Sequence, residues 1–425
     1  MKSAFLIAAP MSGSGKTTVA RGLMALFVKE GLRVQPFKCG PDYIDTKFHE
    51  AVCGRPSVNL DTFMASEAHV LELFERYTSD ADVAVVEGMM GLFDGYDHDR
   101  GSCAEIARIL NLPVVLVVDA RSAAYSMAAL LKGFIDFRTD LRFASVIYNK
   151  VGSERHAAML QEVAADVGIP CFGCIPKQTA LETGSRYLGL DFSEKTGSDH
   201  LVRLLAERIH WQTLLEKTNI RERRHVYTNM QTRIYKNTDT DRRVFVARNA
   251  ESFSFLYQET LDRLRTWADI MFFDPEDTEN VFDKASLIYL PGGYPEKHLE
   301  ALVRAESTRR AIKAFAEDGG RIVAECGGMM YLCRSILTDD GEYPMCGVLP
   351  YSITARKADR RLSLGYRRFV LDGKEYRGHE FHYTQFQGQR PESAAQVYNA
   401  KGEPVDTPVL SYKNVLASYT HLYNI

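Results

Sequence analysis

The chain opens on an unbroken apolar run, residues 3–9 (SAFLIAA), with no polar alternation. Such runs belong to parallel sheets covered on both faces. From Lys16 the apolar residues Val19, Leu23, Leu26 and Phe27 recur at the three- and four-residue spacing of an amphipathic helix. Gly31 closes that helix and Val34–Phe37 begins the next strand. Further apolar strands are predicted at 82–87 (DVAVVE), 113–119 (PVVLVVD), 143–150 (FASVIYNK) and 171–176 (CFGCIP), with helices over Ser122–Phe134 and Glu154–Val167. Strands alternating with helices predict a doubly wound parallel sheet for residues 1–210. Residues 211–241 change character. The Arg-Glu-Arg-Arg-His run at 221–225 and an Asn/Thr/Asp cluster read as a solvated linker. A second α/β series then fills 242–425. Val244–Ala247 is a strand, Phe255–Thr266 a helix, Ile270–Phe273 a strand and LIYL at 287–290 another. RIVAECGGMMYL at 321–332 is strand, tight turn and helix, and the tail VLASYTHLYNI is strand-like.

Composition changes this picture little. At 425 residues two or three domains are expected. A net charge of −3 gives no electrostatic case for nucleic acid or an anionic membrane. No run reaches the ~18 apolar residues of a membrane span. The N-terminal MKSAFLIAAP could pass for a signal peptide, but it runs straight into MSGSGKTT, which is better explained as a phosphate loop. Eight scattered cysteines in a chain this long suit a reducing cytosol rather than a disulfide framework. Cys171 and Cys174 form a lone C-x-x-C with no second pair for zinc, and read as half-buried small hydrophobes.

The strand–glycine loop–helix context at 3–27 is the one a P-loop requires. Pro10 stands where the first glycine of G-x-x-x-x-G-K-[ST] would be, yet the working parts remain. Gly13, Ser14 and Gly15 can turn N–H groups towards phosphate, Lys16 can reach the β- and γ-phosphates of ATP, and Thr17 can ligate Mg²⁺. Glu87 ends an apolar strand beside that loop, where a Mg²⁺ ligand belongs, with Asp94 as helper. Asp42 and Asp45, in the Gly40-Pro41 loop, suit Mg²⁺, a substrate or merely a solvated turn. Asn149-Lys150, at a strand end, could read a purine.

In the second half, Cys326 sits on a sharp strand-to-helix corner, as a nucleophile does. Gly327 and Gly328 leave room for turn and substrate. The helix N-terminus is expected to favour the thiolate. Gly292-Gly293 could aim backbone N–H groups at an oxyanion. His421 could serve the thiol as base. In GHEFHY at 378–383, strand alternation puts His379 and His382 on opposite faces, favouring a structural or substrate-lining role over a metal site.

APMSGSGKTT, FKCGPDYID, VVEGMMGLFDG, YNKVGSERH, LPGGYPE, AECGGMMYL, GYR at 365–367, GHEFHY and ASYTHLY together resemble the cobyrinic acid a,c-diamide synthase family, with its hydrogenobyrinic acid and nickel-sirohydrochlorin counterparts. The resemblance implies a P-loop synthetase domain joined to a class I glutamine amidotransferase domain of flavodoxin-like α/β fold. It implies Mg²⁺- and ATP-dependent amidation of the a and c side-chain carboxylates of cobyrinate through acyl phosphates, in cobalamin biosynthesis. It places the glutamyl thioester on Cys326, assisted by His421. It assigns Asp42, Tyr43, Ile44, Asp45, Glu87 and Asp94 to ATP, Mg²⁺ and the tetrapyrrole carboxylate. Class I amidotransferases in general carry a glutamate two residues after the histidine, where Tyr423 stands.

The implied partners are small molecules in the cytoplasm, a tetrapyrrole carboxylate, ATP and glutamine, with neither nucleic acid nor membrane and a homodimer left open. Hydrogenobyrinate or nickel-sirohydrochlorin as substrate, and cobyric acid synthase, remain as neighbouring readings. A regulatory ATPase of the deviant Walker type is a reading of another class, but it wants a lysine where Met11 stands and has no use for Cys326 with His421.

Overall fold

The computed structural model describes residues 2–177, 196–220, 241–388 and 390–423. The run at 221–225 lies outside them. The chain divides into two compact units, Met1–Thr232 and Arg233–Ile425.

In the first unit, the apolar runs form β1 (Ser3–Ala8), β2 (Val34–Cys39), β3 (Val58–Leu60), β4 (Val83–Glu87), β5 (Val114–Asp119), β6 (Phe143–Val151) and β7 (Cys171–Pro176). Between them run α1 (Lys16–Lys29), α2 (Asp45–Cys53), α3 (Glu67–Thr78), α4 (Cys103–Ile109), α5 (Met127–Phe137) and α6 (Glu154–Val167). The sheet is parallel, in the order β3-β2-β4-β1-β5-β6-β7. The order reverses between β4 and β1, so a crevice opens beyond their carboxyl ends, where such sheets bind ligands. β1 is buried at every position, as its unalternating pattern predicts.

Two expectations need correction. α5 begins at Met127 rather than Ser122, because Ser122 takes a left-handed φ of 55° that a helix cannot absorb. Residues 211–217, read as the start of the linker, form helix α8 after α7 (Thr196–Arg208). Trp211, Leu214 and Leu215 lie on one face of α8 and pack into the core around Phe27, with the Trp211 and Phe27 ring centroids 6.3 Å apart. The Thr218 and Ser3 hydroxyls meet at 2.5 Å, and Ile220 N–H donates to the Lys2 carbonyl. The chain thus stays with the first unit to residue 220.

The second unit holds a six-stranded sheet built from β8 (Arg243–Ala247), β9 (Asp269–Phe273), β10 (Ala285–Leu290) and β11 (Ile322–Glu325), completed by two strands from the tail. α9 (Gln258–Arg265), α10 (Leu299–Arg304), α11 (Glu306–Glu317) and α12 (Gly327–Leu332) follow these strands. Short strands come next: β12 (Ser335–Leu337), β13 (Glu342–Pro344) and β14 (Ser352–Thr354). A long hairpin of β15 (Ser363–Leu371) and β16 (Lys374–His382) leads to β17 (Gln385–Phe386), β18 (Val397–Tyr398), β19 (Pro404–Val405), β20 (Val409–Tyr412), β21 (Val415–Ser418) and β22 (His421–Leu422). The main sheet runs β20-β21-β11-β10-β8-β9, with only β20 antiparallel. Its first four strands in chain order stand 2-1-3-4, the flavodoxin-like order. The tail read as one strand is two: β21 joins the main sheet and β22 joins β16 in a second one.

Candidate functional sites

The phosphate loop follows β1. Gly13 and Gly15 take φ of 80° and 96°, which only glycine adopts readily. A side chain at Gly15 would also strike the Asn149 amide. Asn149 Nδ2 donates to the Ser14 carbonyl at 3.0 Å, and Lys150 Nζ to the Gly13 carbonyl at 3.1 Å, so the pair at the end of β6 braces the loop. Lys16 Nζ donates to the Met90 carbonyl at 2.5 Å.

Thr17, Asp45 and Glu87 come together, and around a group the sequence did not single out. Lys38 Nζ donates to Asp45 Oδ2 at 2.6 Å and Glu87 Oε1 at 2.9 Å, while Thr17 Oγ1 donates to Glu87 Oε1 at 2.6 Å. His49 Nε2 meets Glu87 Oε2 at 2.6 Å, with its Nδ1 3.0 Å from Ser57 Oγ. Burial works against every charge here. Attraction outweighs it, holding the Lys38 ammonium above and the Glu87 carboxyl well below their ordinary ranges. The clues were slight: Lys38 is a charge at the end of a buried strand, and His49 lies one helical turn after Asp45. Thr17 Oγ1 and the Asp45 and Glu87 carboxylates are oxygen donors of the kind Mg²⁺ takes beside substrate phosphates, with the Lys38 ammonium set between the two carboxylates.

Asp42 Oδ1 accepts the N–H groups of Ile44 and Asp45 and so starts α2. Tyr43 is buried and Ile44 half-buried beside it. Asp94 is exposed on a separate loop, where Oδ2 accepts the Gly91 N–H at 2.8 Å.

In the second unit Cys326 holds φ 45°, ψ −107°, strained for a non-glycine residue and placed between β11 and α12. The Gly292-Gly293 turn after β10 sits between the cysteine's helix and His421. A side chain at Gly327 would lie 2.9 Å from the Gly293 carbonyl and 3.0 Å from its nitrogen. One at Gly292 would strike the His421 ring, at 2.8 Å from Nδ1. Both glycines are therefore close-approach positions.

The expected resting thiolate is not supported. Burial pushes the Cys326 thiol well up, the Glu296 charge adds to this, and the Gly327 N–H opposes too weakly. Burial, with His379 and His382 nearby, brings His421 down to about 3. The resting pair is a neutral thiol and a neutral imidazole. His382 and Glu380 share the buried face of β16 and His379 takes the other, as the alternation predicts. His382 Nε2 meets Glu380 Oε1 at 2.7 Å, and its ring stacks on Tyr419 at 3.6 Å.

A phosphate-binding crevice in one unit and a strained cysteine in the other define a class: nucleotide-dependent ligases that draw nitrogen from glutamine. Residues 5–188 match the family described as CobQ/CobB/MinD/ParA nucleotide binding domain, and residues 243–424 the CobB/CobQ-like glutamine amidotransferase domain. The chain is 38% identical to the cobyrinate a,c-diamide synthase of Caldanaerobacter subterraneus subsp. tengcongensis, over 98% of this chain and 94% of that one. It is 37% identical to the hydrogenobyrinate a,c-diamide synthase of Rhizobium meliloti, over 98% of each. It is also 38% identical to the cobyrinate a,c-diamide synthase of Listeria monocytogenes, over 98% of this chain and 95% of that one. The chain belongs to the a,c-diamide synthase family and is a ligase that uses ATP and glutamine.

Proposed function

We propose that the enzyme amidates the a and c side-chain carboxylates of cobyrinate. Hydrogenobyrinate is the second reading, favoured by relatives of that name at matching identity. A carboxylate resists amidation because it must expel oxide. Transfer of the ATP γ-phosphoryl onto it creates a good leaving group. Gly13, Ser14, Gly15 and Lys16 would hold the phosphates. Mg²⁺, held by Thr17, Asp45 and Glu87, would supply charge neutralisation there. Asp42, Tyr43, Ile44 and Asp94 would border the acceptor carboxylate.

Nitrogen comes from glutamine. Cys326 Sγ attacks the side-chain amide carbon and its proton passes to His421, which returns it to the departing ammonia. N–H groups at Gly293 and Gly327 would face the oxyanion, and water then clears the thioester. The observation carrying this reading is the Gly292-Gly293 turn, pressed by His421 on one side and Gly327 on the other. The domain limits follow as 1–220 for the synthetase and 242–425 for the amidotransferase. We place the enzyme in the cytosol, acting on small molecules.

The test is incubation with ATP, Mg²⁺ and glutamine against cobyrinate, hydrogenobyrinate and nickel-sirohydrochlorin, read by mass spectrometry. Double amidation of cobyrinate is expected. Double amidation of hydrogenobyrinate alone would establish the second reading, and no amide on any of the three would refute both.

A further inference from the structure

The two oxygens of Glu87 face different partners. Oε1 accepts from Thr17 Oγ1 at 2.6 Å and from Lys38 Nζ at 2.9 Å, on the side of the helix that follows the phosphate loop. Oε2 meets His49 Nε2 at 2.6 Å. A carboxylate can only accept, so Nε2 carries the proton of that bond. Glu87 and His49 are both 0% exposed, which leaves water no room to replace it.

The imidazole is itself held. Its Nδ1 lies 3.0 Å from Ser57 Oγ, and Ser57 is buried directly before β3. With a partner on each ring nitrogen, the ring cannot turn without losing both bonds. His49 follows Asp45 by one turn of α2, and both lie on the buried face of that helix. One helix face therefore sends an acid to Lys38 and a donor to Glu87.

We propose that His49 is the positioning residue for Glu87, fixing through Oε2 the direction in which Oε1 meets Thr17 and Mg²⁺. The inference rests on the reading of Thr17, Asp45 and Glu87 as the Mg²⁺ ligands. A cation at Oε1 competes with Thr17 and Lys38 for that oxygen, whereas the bond at Oε2 stays intact. It stops the carboxylate from rotating about its last bond and keeps the same oxygen forward. Glutamine can bring an N–H to Oε2 over as many bonds from Cβ as histidine does, and leucine cannot.

The experiment compares His49→Leu, His49→Gln and Ser57→Ala in the full chain. It titrates Mn²⁺, standing in for Mg²⁺, in the presence of a non-hydrolysable ATP analogue and reads free Mn²⁺ by electron paramagnetic resonance. Thermal unfolding checks the fold. In His49→Leu the Mn²⁺ affinity should fall by about 10- to 100-fold, the scale for losing an outer partner of a metal ligand. Excess Mg²⁺ should recover amide formation in that variant. His49→Gln should stay within a few-fold of wild type. Ser57→Ala should lose a smaller factor, and it decides the question should the leucine variant not fold. Unchanged Mn²⁺ affinity in Ser57→Ala and in a folded His49→Leu overturns the proposal, even if Tm falls, because that is a purely structural role. A glutamine variant as poor as leucine overturns it too, since the donor would then not be what matters. Glu87→Gln separates the two layers: full Mn²⁺ affinity there would sink Glu87 as a ligand, whereas a loss there with none in His49→Leu would sink only the role of His49.

Discussion

Gly292→Ala tests the amidotransferase site with the smallest possible change. Gly292 carries no left-handed φ, so alanine meets no backbone strain and the effect is one of space. The added methyl carbon would lie 2.8 Å from His421 Nδ1 and 3.1 Å from Nε2, with Cε1 nearer still. The imidazole is 1% exposed and has little room to retreat. Reaching ordinary contact at Cε1 moves the ring or the turn by more than about 1 Å, and overpacking of this kind costs about 1–3 kcal/mol. A displacement approaching 1 Å at a proton-transfer group is worth about 100-fold in rate. The assay runs glutamine-driven and ammonium-driven amidation side by side, with thermal unfolding of the same samples. Glutamine-driven kcat should drop by about two orders of magnitude, ammonium-driven turnover should persist, and Tm should fall by a few degrees. Retained glutamine-driven kcat would refute the placement of His421 against the turn.

Lys38→Met leaves Asp45 and Glu87 buried without their cation and should cost about 3–5 kcal/mol in urea unfolding; a change under about 1 kcal/mol would contradict the cluster. Lys16→Ala should abolish amide formation with glutamine and with ammonium alike while glutamate release continues, read by product mass and a glutamate assay. Because His421 sits at about 3 when folded, it stays an unprotonated base far below its ordinary range, and the stability this gives is full above pH ~6.5 and lost as pH falls towards 3. The acid limb of glutamine-driven kcat/KM should therefore lie well below pH 6, and a limb at 6.5 would count against the buried imidazole. Burial pushes Glu380 up, but His382, Arg367 and Thr407 outweigh it and hold the carboxyl to about 2. That contributes about 3 kcal/mol above pH ~4.5, lost as pH falls through 2. Urea midpoints of Glu380→Gln should vary less than wild type between pH 5 and 3.

Most strands of the parallel sheets could be read from the sequence because they are apolar runs buried on both faces; the three-residue Val58–Leu60 was too short to show. The two-residue strands Gln385–Phe386 and His421–Leu422 carry no period to detect, so the two smaller sheets they complete were not legible as sheets, although 378–383 read as a strand. Helix α8 was misread because the charged run beyond it coloured the whole stretch, although Trp211, Leu214 and Leu215 already marked a buried face. At the sites, the glycines were legible because a turn demands them locally. Lys38 and His49 were not, since their partner Glu87 lies 49 and 38 positions away and becomes a neighbour only once the sheet forms.

The thiol of Cys326 shows where local logic fails and why. A helix N-terminus favours an anion by about 0.3–1 kcal/mol, and α12 has only six residues. Removing a charge from water costs several kcal/mol. With Cys326 4% exposed and the acids Glu296 and Glu380 around it, desolvation and repulsion win. A neutral thiol beside a neutral imidazole is a site at rest. On the proposed mechanism it would ionise only when a bound glutamine brings the carbonyl carbon that Sγ attacks, which would couple proton transfer to His421 with bond formation. The same reasoning makes the direction of the imidazole matter more than its charge.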